Sequence, residues 1–416
     1  MINVAVLGYG VVGSGVVEVI RKNNSSISKK SGQEITVKKI LDVRDFPDSP
    51  DRDLLTKDSE EIFNDKDIHI VVETIGGAKI AYEFTKRALR LRKHVVTSNK
   101  ELVATHGPEL LQLAKENGVH YLFEASVGGG IPIIRPLNQC LAANEIKGIT
   151  GILNGTTNYI LTQMRREGKD FYQALKEAQQ NGYAEADPTA DIEGYDTCRK
   201  IAILSSIAYN EFVDYNNIYT EGITKITPVD MEYAEELNSV IKLIAFSKRA
   251  EKKIIAWVSP AMVEKSHPLA TVEDVFNGIV VKGDAIGEAM FYGRGAGKLP
   301  TASAVVADII DIVKHLDSGA RNIWTVTHGN NVIPMGETFT RYFIRLKVRN
   351  FEEAGKLVTR AFGKVEWVKA AADRAADEIA FTTCRDAEKN LQAALGKLKG
   401  TGSIKEVASV IRMLDE

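Results

Sequence analysis

The chain has 416 residues, 44% hydrophobic and 26% charged, with a formal net charge of −2 from 53 basic and 55 acidic residues. That length exceeds one simple core and predicts two or three domains, while the near-neutral balance excludes the concentrated basic face of a nucleic-acid binder. No apolar run approaches the roughly 18 residues of a membrane span, and three scattered cysteines (Cys140, Cys198, Cys384) offer neither a disulfide framework nor a metal motif.

From the N-terminus, INVAVL (2–7) predicts a buried strand, GYGVVGSG a tight glycine turn and GVVEVIRK a helix. This opening lacks the basic start and cleavage pattern of a secretory leader, and the sparse, odd-numbered cysteines make a reducing cytoplasm the expected setting. Polar residues 23–33 read as a loop and 35–43 as a second strand. IHIVVETIGG (68–77) gives a third strand and AYEFTKRALRLRK a helix with a solvated basic face. HVVTSNK (94–100) is a fourth strand and HYLFEASV (120–127) a further one. This alternation predicts an α/β fold, a Rossmann-type doubly wound parallel sheet over 1–135.

Beyond GGGIPIIRPL (128–137) glycine and proline punctuate longer helices and β-rich pieces, predicting a mixed α+β domain over 136–320. GAGKLPTASAVVADIIDIVK (295–314) reads as a long helix entered through a glycine turn, its 300–315 stretch packing back on the first domain. Residues 340–416 read strand, helix, a weak strand near VEWVKAA, strand, helix and strand, a small ferredoxin-like βαββαβ module.

Gly8, Gly10 and Gly13 hold the G-x-G-x-x-G spacing between a strand and a helix, the context in which that motif binds a dinucleotide pyrophosphate. At the end of strand two, Asp42 suits the 2′-hydroxyl of NAD and Arg44 the 2′-phosphate of NADP, so the residues alone leave the cofactor preference open. Lys100 follows the fourth strand on the cofactor side of the sheet, where a catalytic lysine and a helix-opening surface lysine are equally expected. EASVGGGIP (124–132) reads either as a hinge or as a backbone cation site involving Glu124.

Asp196 and Lys200, four apart, share a helix face. A surface ion pair accounts for those two but not for Glu185, Asp187, Asp191 and Glu193 crowded ahead of them. Their repulsion calls for a positive group, a substrate ammonium or a metal, and no histidine or cysteine arrangement supports a transition metal.

Taken together, LGYGVVGSGV, ETIGG, VVTSNKELVATHG, FEASVGGGIPII, GILNGTTNYILTQM, YAEADPTADIEGYDTCRKIAILS and YGRGAGKLPTASAVVADIID resemble homoserine dehydrogenases over nearly the whole chain. The resemblance implies NADPH- or NADH-dependent, reversible reduction of L-aspartate 4-semialdehyde to L-homoserine, in the route to threonine, methionine and isoleucine. It also implies that Gly8 to Gly13, with Gly10, Val11 and Val12, hold the pyrophosphate. Thr74 and Ile75 would line the nicotinamide side, and Gly295 and Gly297 would reach the cofactor from the second domain. Lys100 and Lys200 match the family's catalytic lysines, Lys200 as proton donor with Asp196 beside it, and Glu185 and Asp191 match substrate-binding acids. Glu124, Val127, Gly129 and Ile131 match a structural sodium site built mostly from carbonyls. Lys100 and Lys200 close together would lower each other's pKa.

The C-terminal module resembles an ACT domain. Where that family carries D-x-P-G-V-L, this chain reads RNFEEAGKL (349–357), without the proline and with the glycine displaced to Gly355. The resemblance therefore carries the module's fold but not threonine binding at that turn. The resemblance to homoserine dehydrogenases further implies a homodimer or higher homo-oligomer joined through the second domain. A thioester-forming semialdehyde dehydrogenase would need a thiol beside a histidine, which neither Cys140 nor Cys198 has nearby. A catalytically silent sensor of nucleotide and amino acid would not need Lys100, Asp196 and Lys200 together.

Overall fold

The structure is a computed structural model and describes all residues except 317, 319–322, 328, 370–376 and 416. Its first sheet has six parallel strands, β1 (Ile2–Leu7), β2 (Ile35–Leu41), β3 (Leu55–Thr56), β4 (Ile68–Glu73), β5 (His94–Thr97) and β6 (Tyr121–Leu122). They lie in the order β3-β2-β1-β4-β5-β6. Strand order reverses between β1 and β4, which opens a crevice at their carboxyl ends. The runs VAVL in β1 and IVV in β4 are buried throughout, because helices cover both faces of the sheet.

One face is covered by the helices Val11–Lys22 and Lys298–Lys314, whose Val16, Val17 and Ile20 pack with Ala302, Val305 and Ile309. The other face is covered by the helices Lys79–Arg90 and Lys100–Glu116. A helix that lies in sequence between strands of the second sheet thus completes the core of the first.

Two local expectations are corrected. Residues 23–33 are not a loop: Asn24–Ser31 form a helix that buries Ile27 and ends at Gly32, whose φ is 79°. A single anchoring apolar side chain and a left-handed C-cap outweigh a polar composition. The strand expected over 120–127 stops at Leu122, and 124–126 turn as a 3₁₀ helix, because the Glu124 carboxylate draws in the backbone N–H groups of Ile133, Ile134 and Arg135 at 2.7–2.8 Å.

The second sheet has eleven strands. They are β7 (Ile146–Ile152), β8 (Tyr219–Thr220), β9 (Ser239–Ala250), β10 (Lys253–Glu264), β11 (Phe276–Gly283), β12 (Gly287–Arg294), β13 (Phe339–Val348), β14 (Val365–Val368), β15 (Glu378–Thr383), β16 (Asp386–Ala387) and β17 (Ile404–Met413). The path is β12-β11-β7-β9-β10-β17-β13-β15-β14, with β8 on β10 and β16 on β13. The helices Gly155–Glu167 and Tyr195–Tyr209 lie against it through Ile160, Leu161, Ile201 and Leu204.

Residues from 339 onward form β13, helix Phe351–Phe362, β14, β15, helix Glu388–Leu398 and β17. Of VEWVKAA, the first four residues are β14, and its last two lie outside the described residues. This unit is continuous with the second sheet, because β17 runs parallel to β10 at Ala261↔Arg412 and Met262↔Met413. Two buried arginines clamp the junction. Arg345 reaches Asp230 at 3.1 Å and Glu378 at 2.9 Å, and Arg412 reaches Glu221 at 2.7 Å and Glu388 at 2.6 Å. Among the described residues, no helix is long and apolar enough to cross a membrane.

Candidate active site

The glycine turn follows directly from β1. Gly8 has φ +95°, and a Cβ on Gly13 would lie 1.9 Å from the Gly8 carbonyl oxygen, so both positions require glycine. Gly10 caps the helix Val11–Lys22 and turns its N-terminus toward the crevice, which favours an anion there. The Thr74 hydroxyl lies 2.9 Å from both the Leu7 and Gly8 carbonyl oxygens and buttresses the turn from β4. Val11 is exposed at the helix start, whereas Val12 borders the cavity described below.

At the end of β2, Asp42 accepts hydrogen bonds from the Tyr9 N–H (2.7 Å) and the Arg44 N–H (2.9 Å). The Arg44 guanidinium adds two more, at 3.0 and 2.9 Å. Those bonds, working against burial, hold the Asp42 carboxyl well below the usual carboxylate range.

Asn99 opens the helix Lys100–Glu116, its side chain capping the Leu102 N–H at 3.0 Å. The cap places Lys100 on the first turn, where its Nζ lies 2.9 Å from Asp196 Oδ1. Lys200, one turn along from Asp196 on the helix Tyr195–Tyr209, lies 2.7 Å from Asp196 Oδ2 and donates to the Leu153 carbonyl at 2.8 Å. One buried carboxylate thus serves two ammonium groups, one oxygen each. Burial pushes Asp196 up, but Lys200 and then Lys100 outweigh it and keep it ionised far below the ordinary range.

The expected mutual lowering of the two lysines is corrected for Lys100. The field of Asp196 exceeds the cost of burial and raises its pKa, with Asp191 adding to the effect. An anion between two cations reverses the sign that repulsion alone would give.

Asp191 sits on the short helix Thr189–Ile192, and burial, followed by the charge of Asp196, pushes its carboxyl up. Both acids share Asn154, whose Nδ2 lies 2.7 Å from Asp191 Oδ1 and 2.9 Å from Asp196 Oδ2 while its Oδ1 caps the helix Gly155–Glu167. The sequence reading did not single out Asn154, although an asparagine ahead of G-T-T at a helix start is a capping signal. Asp187 takes the Thr189 N–H at 3.1 Å and hydroxyl at 2.6 Å, as turn chemistry.

Lys100, Lys200, Asp196, Asp191, Glu185 and Asn154 line one cavity of about 590 Å³. Val12 borders it from the dinucleotide turn, Gly295 and Gly297 from beyond β12, and Val127 and Gly129 from the glycine run. Arg44, Thr74 and Ile75 lie outside that cavity, at the ends of β2 and β4. Glu185 is exposed at its mouth. Glu124 and Ile131 are buried and do not line that cavity. Burial raises the Cys198 thiol, which points to the Tyr215 carbonyl rather than to a histidine, so it is no activated nucleophile.

A Rossmann crevice that opens onto a lysine–aspartate–lysine cluster defines the class: a nicotinamide-dependent oxidoreductase. Family models agree on both parts, "Homoserine dehydrogenase, NAD binding domain" over residues 8–124 and "Homoserine dehydrogenase" over 132–310. The chain is 40% identical to the homoserine dehydrogenase of Synechocystis sp. over 434 aligned positions that cover 99% of each protein. It is 37% identical to that of Bacillus subtilis, covering 99% of this chain and 98% of the relative. The crystal structure of a homoserine dehydrogenase from Thiobacillus denitrificans superposes with a TM-score of 0.91 at 37% identity, covering 100% of this chain and 98% of that one. A hyperthermophilic archaeal homoserine dehydrogenase in complex with NADPH superposes at 0.65 and 30% identity, covering 77% and 99%. The chain belongs to the homoserine dehydrogenase family.

Proposed function

We propose that the family's reaction, reduction of L-aspartate 4-semialdehyde to L-homoserine, takes place in this cavity with Lys200 as proton donor, Lys100 and Asp196 as its electrostatic partners, and Glu185 and Asp191 holding the substrate ammonium. The observation that carries it is the single Asp196 carboxylate shared by two lysines beside the dinucleotide turn. A nicotinamide cofactor held at the glycine turn would supply the hydride for the aldehyde carbon. Negative charge then grows on the aldehyde oxygen, where Lys200 stabilises it and delivers a proton, completing the alcohol. A lysine ammonium has three N–H groups, and two of those on Lys200 are committed to Asp196 and Leu153. The third remains for the substrate oxygen.

Gly8, Gly10, Val11, Val12 and Gly13 are assigned to the pyrophosphate, Thr74 and Ile75 to the nicotinamide side, and Gly295 and Gly297 to closure over the cofactor. We read the cofactor as NADPH ahead of NADH, because Arg44 neutralises Asp42 through Nε and Nη2 and keeps Nη1 for a 2′-phosphate. A structural sodium ion is assigned to Glu124, Val127, Gly129 and Ile131. The three amides on its carboxylate leave Glu124 to contribute its main-chain carbonyl, which suits a hard, weakly held cation.

We divide the chain into a dinucleotide domain (1–135), a catalytic domain (136–320) and an ACT-like module (340–416), and take the enzyme as a homodimer formed through the second sheet, whose edge strand β12 exposes Met290 and Tyr292. The assay that tests the function follows NADPH absorbance with aspartate semialdehyde, and NADP reduction with homoserine. Turnover in neither direction would overturn it.

A further inference from the structure

One buried carboxylate beside the crevice makes contacts that the reaction itself does not use. Glu73, the last residue of β4, has no exposed surface. Its Oε1 accepts the Ile75 N–H at 2.6 Å, and its Oε2 accepts the Thr97 hydroxyl at 2.5 Å across the sheet on β5. The Thr97 oxygen in turn accepts the Asn99 N–H at 2.9 Å. Asn99 closes the ring: its Nδ2 donates to the Ile75 carbonyl at 3.2 Å and to the Gly77 carbonyl at 2.8 Å. Its Oδ1 caps the helix whose first residue is Lys100. The residue between Glu73 and Ile75 is Thr74, which braces the glycine turn.

Burial pushes the Glu73 carboxyl up to about 7 against the opposing pull of Thr97 and Ile75, and among the described residues no lysine or arginine forms an ion pair with it. A carboxylate buried without a counter-ion is costly, so its retention calls for an explanation from what it binds. What it binds is the pair of turns that meet at the site.

We propose that Glu73 is a positioning residue: it ties the turn after β4, which abuts the dinucleotide turn, to the turn after β5, which presents Lys100, and so sets the cofactor and the ammonium cluster at a fixed separation. The proposal rests on the catalytic reading of Lys100 and Asp196 given above. Its physical basis is that displacement of reacting groups by about 1 Å costs on the order of a hundredfold in rate.

The test uses the full-length enzyme with four single variants and one double. In Glu73→Gln the amide keeps an acceptor for Ile75 but puts an N–H where the carboxylate accepted the Thr97 hydroxyl, which loses its acceptor. Thr97→Val removes the hydroxyl from the other side at nearly constant volume, and Thr97→Ser restores it. Glu73→Gln and Thr97→Val are each expected to lower kcat between about tenfold and a hundredfold, with the Kd for NADPH within threefold of wild type. Thr97→Ser should stay within threefold of wild type in kcat. The double variant should be no slower than the slower single, since both break one link.

Wild-type kcat per folded molecule in Glu73→Gln and Thr97→Val, even with a lowered melting temperature, would overturn the inference. So would multiplicative losses in the double variant, or equal losses in Thr97→Ser and Thr97→Val. If Glu73→Gln does not fold, the Thr97 pair decides alone. Lys100→Met, the fourth single, separates the two levels. Full turnover there sinks the catalytic reading, whereas an impaired Lys100→Met alongside intact Glu73 and Thr97 variants sinks only the positioning role.

Discussion

Replacing Lys200 with methionine keeps the length of an unbranched side chain that is only 11% exposed, and removes the ammonium with little change in packing. Two contacts vanish, the 2.7 Å pair with Asp196 and the 2.8 Å bond to the Leu153 carbonyl. Loss of a positioned general acid costs about 10²–10⁴-fold in rate, which at about 1.36 kcal/mol per tenfold is about 3–5 kcal/mol of barrier. The Lys200 ammonium bonds Asp196 and the Leu153 carbonyl rather than the glycine turn, so the Kd for NADPH should stay within about threefold and the loss should fall on kcat.

Stability carries a second signature. Asp196 has a folded pKa depressed below its ordinary 3.8, and Lys200 is the larger of the two charges responsible. A depressed carboxylate contributes stability that is present above its unfolded pKa and lost as pH falls through the folded value. Lys200→Met should therefore be less stable than wild type at pH 7, and the gap should narrow below about pH 4, where the unfolded carboxylate is protonated. Steady-state absorbance at several semialdehyde concentrations, NADPH fluorescence titration and urea melts at pH 7 and pH 3.5 measure all three quantities. A variant with kcat within threefold of wild type would refute the assignment of the proton donor.

Three further outcomes follow from the same geometry. Asn154→Ala removes the amide between Asp191 and Asp196 as well as a helix cap, so it should raise the KM for semialdehyde at least tenfold and cost about 1–2 kcal/mol in a urea melt. Arg44→Ala should lower kcat/KM with NADPH more than tenfold while changing it with NADH less than threefold, and equal losses with both cofactors would remove the 2′-phosphate assignment. Lys242 is buried on β9 against the Asn158 side chain and the Val272 carbonyl, and burial, then Arg165 and Arg166, lower its pKa to about 7 from 10.5. Between those values the unfolded chain binds more protons than the native one, so stability rises with pH. Lys242→Met should lack that rise in urea melts from pH 7 to pH 10.

How much of the site could be read from residues depends on how local each feature is. The glycine turn was legible because strand, turn and helix are contiguous, and only glycine tolerates the Gly8 dihedral and the Gly13 contact. Asp196 and Lys200 were legible because a four-residue spacing puts them on one helix face. The bond from Lys100 to Asp196 was not, since it joins chain positions almost a hundred residues apart. The sign of the Lys100 shift followed from it: spacing alone offered two repelling lysines, and the fold inserted an anion between them. The helix Asn24–Ser31 was missed because its composition is polar and its one buried anchor, Ile27, has meaning only against the sheet. The weight of Glu73 was invisible for a like reason, as nothing in ETIGG tells that Thr97 will lie across from it.

By itself the sequence determined the class of fold, the glycine turn and the family, because periodicity, glycine sterics and short motifs act over a few neighbouring residues. Only the tertiary structure decided which charges meet. It placed Lys100, Asp191 and Asn154 around one Asp196 carboxylate, turned Glu124 into a buried cap for three amides, brought the helix Lys298–Lys314 back onto the first sheet, and ran β17 alongside β10 to make one sheet of two modules. Charges act over a few ångströms in space, and that distance bears no relation to their separation along the chain.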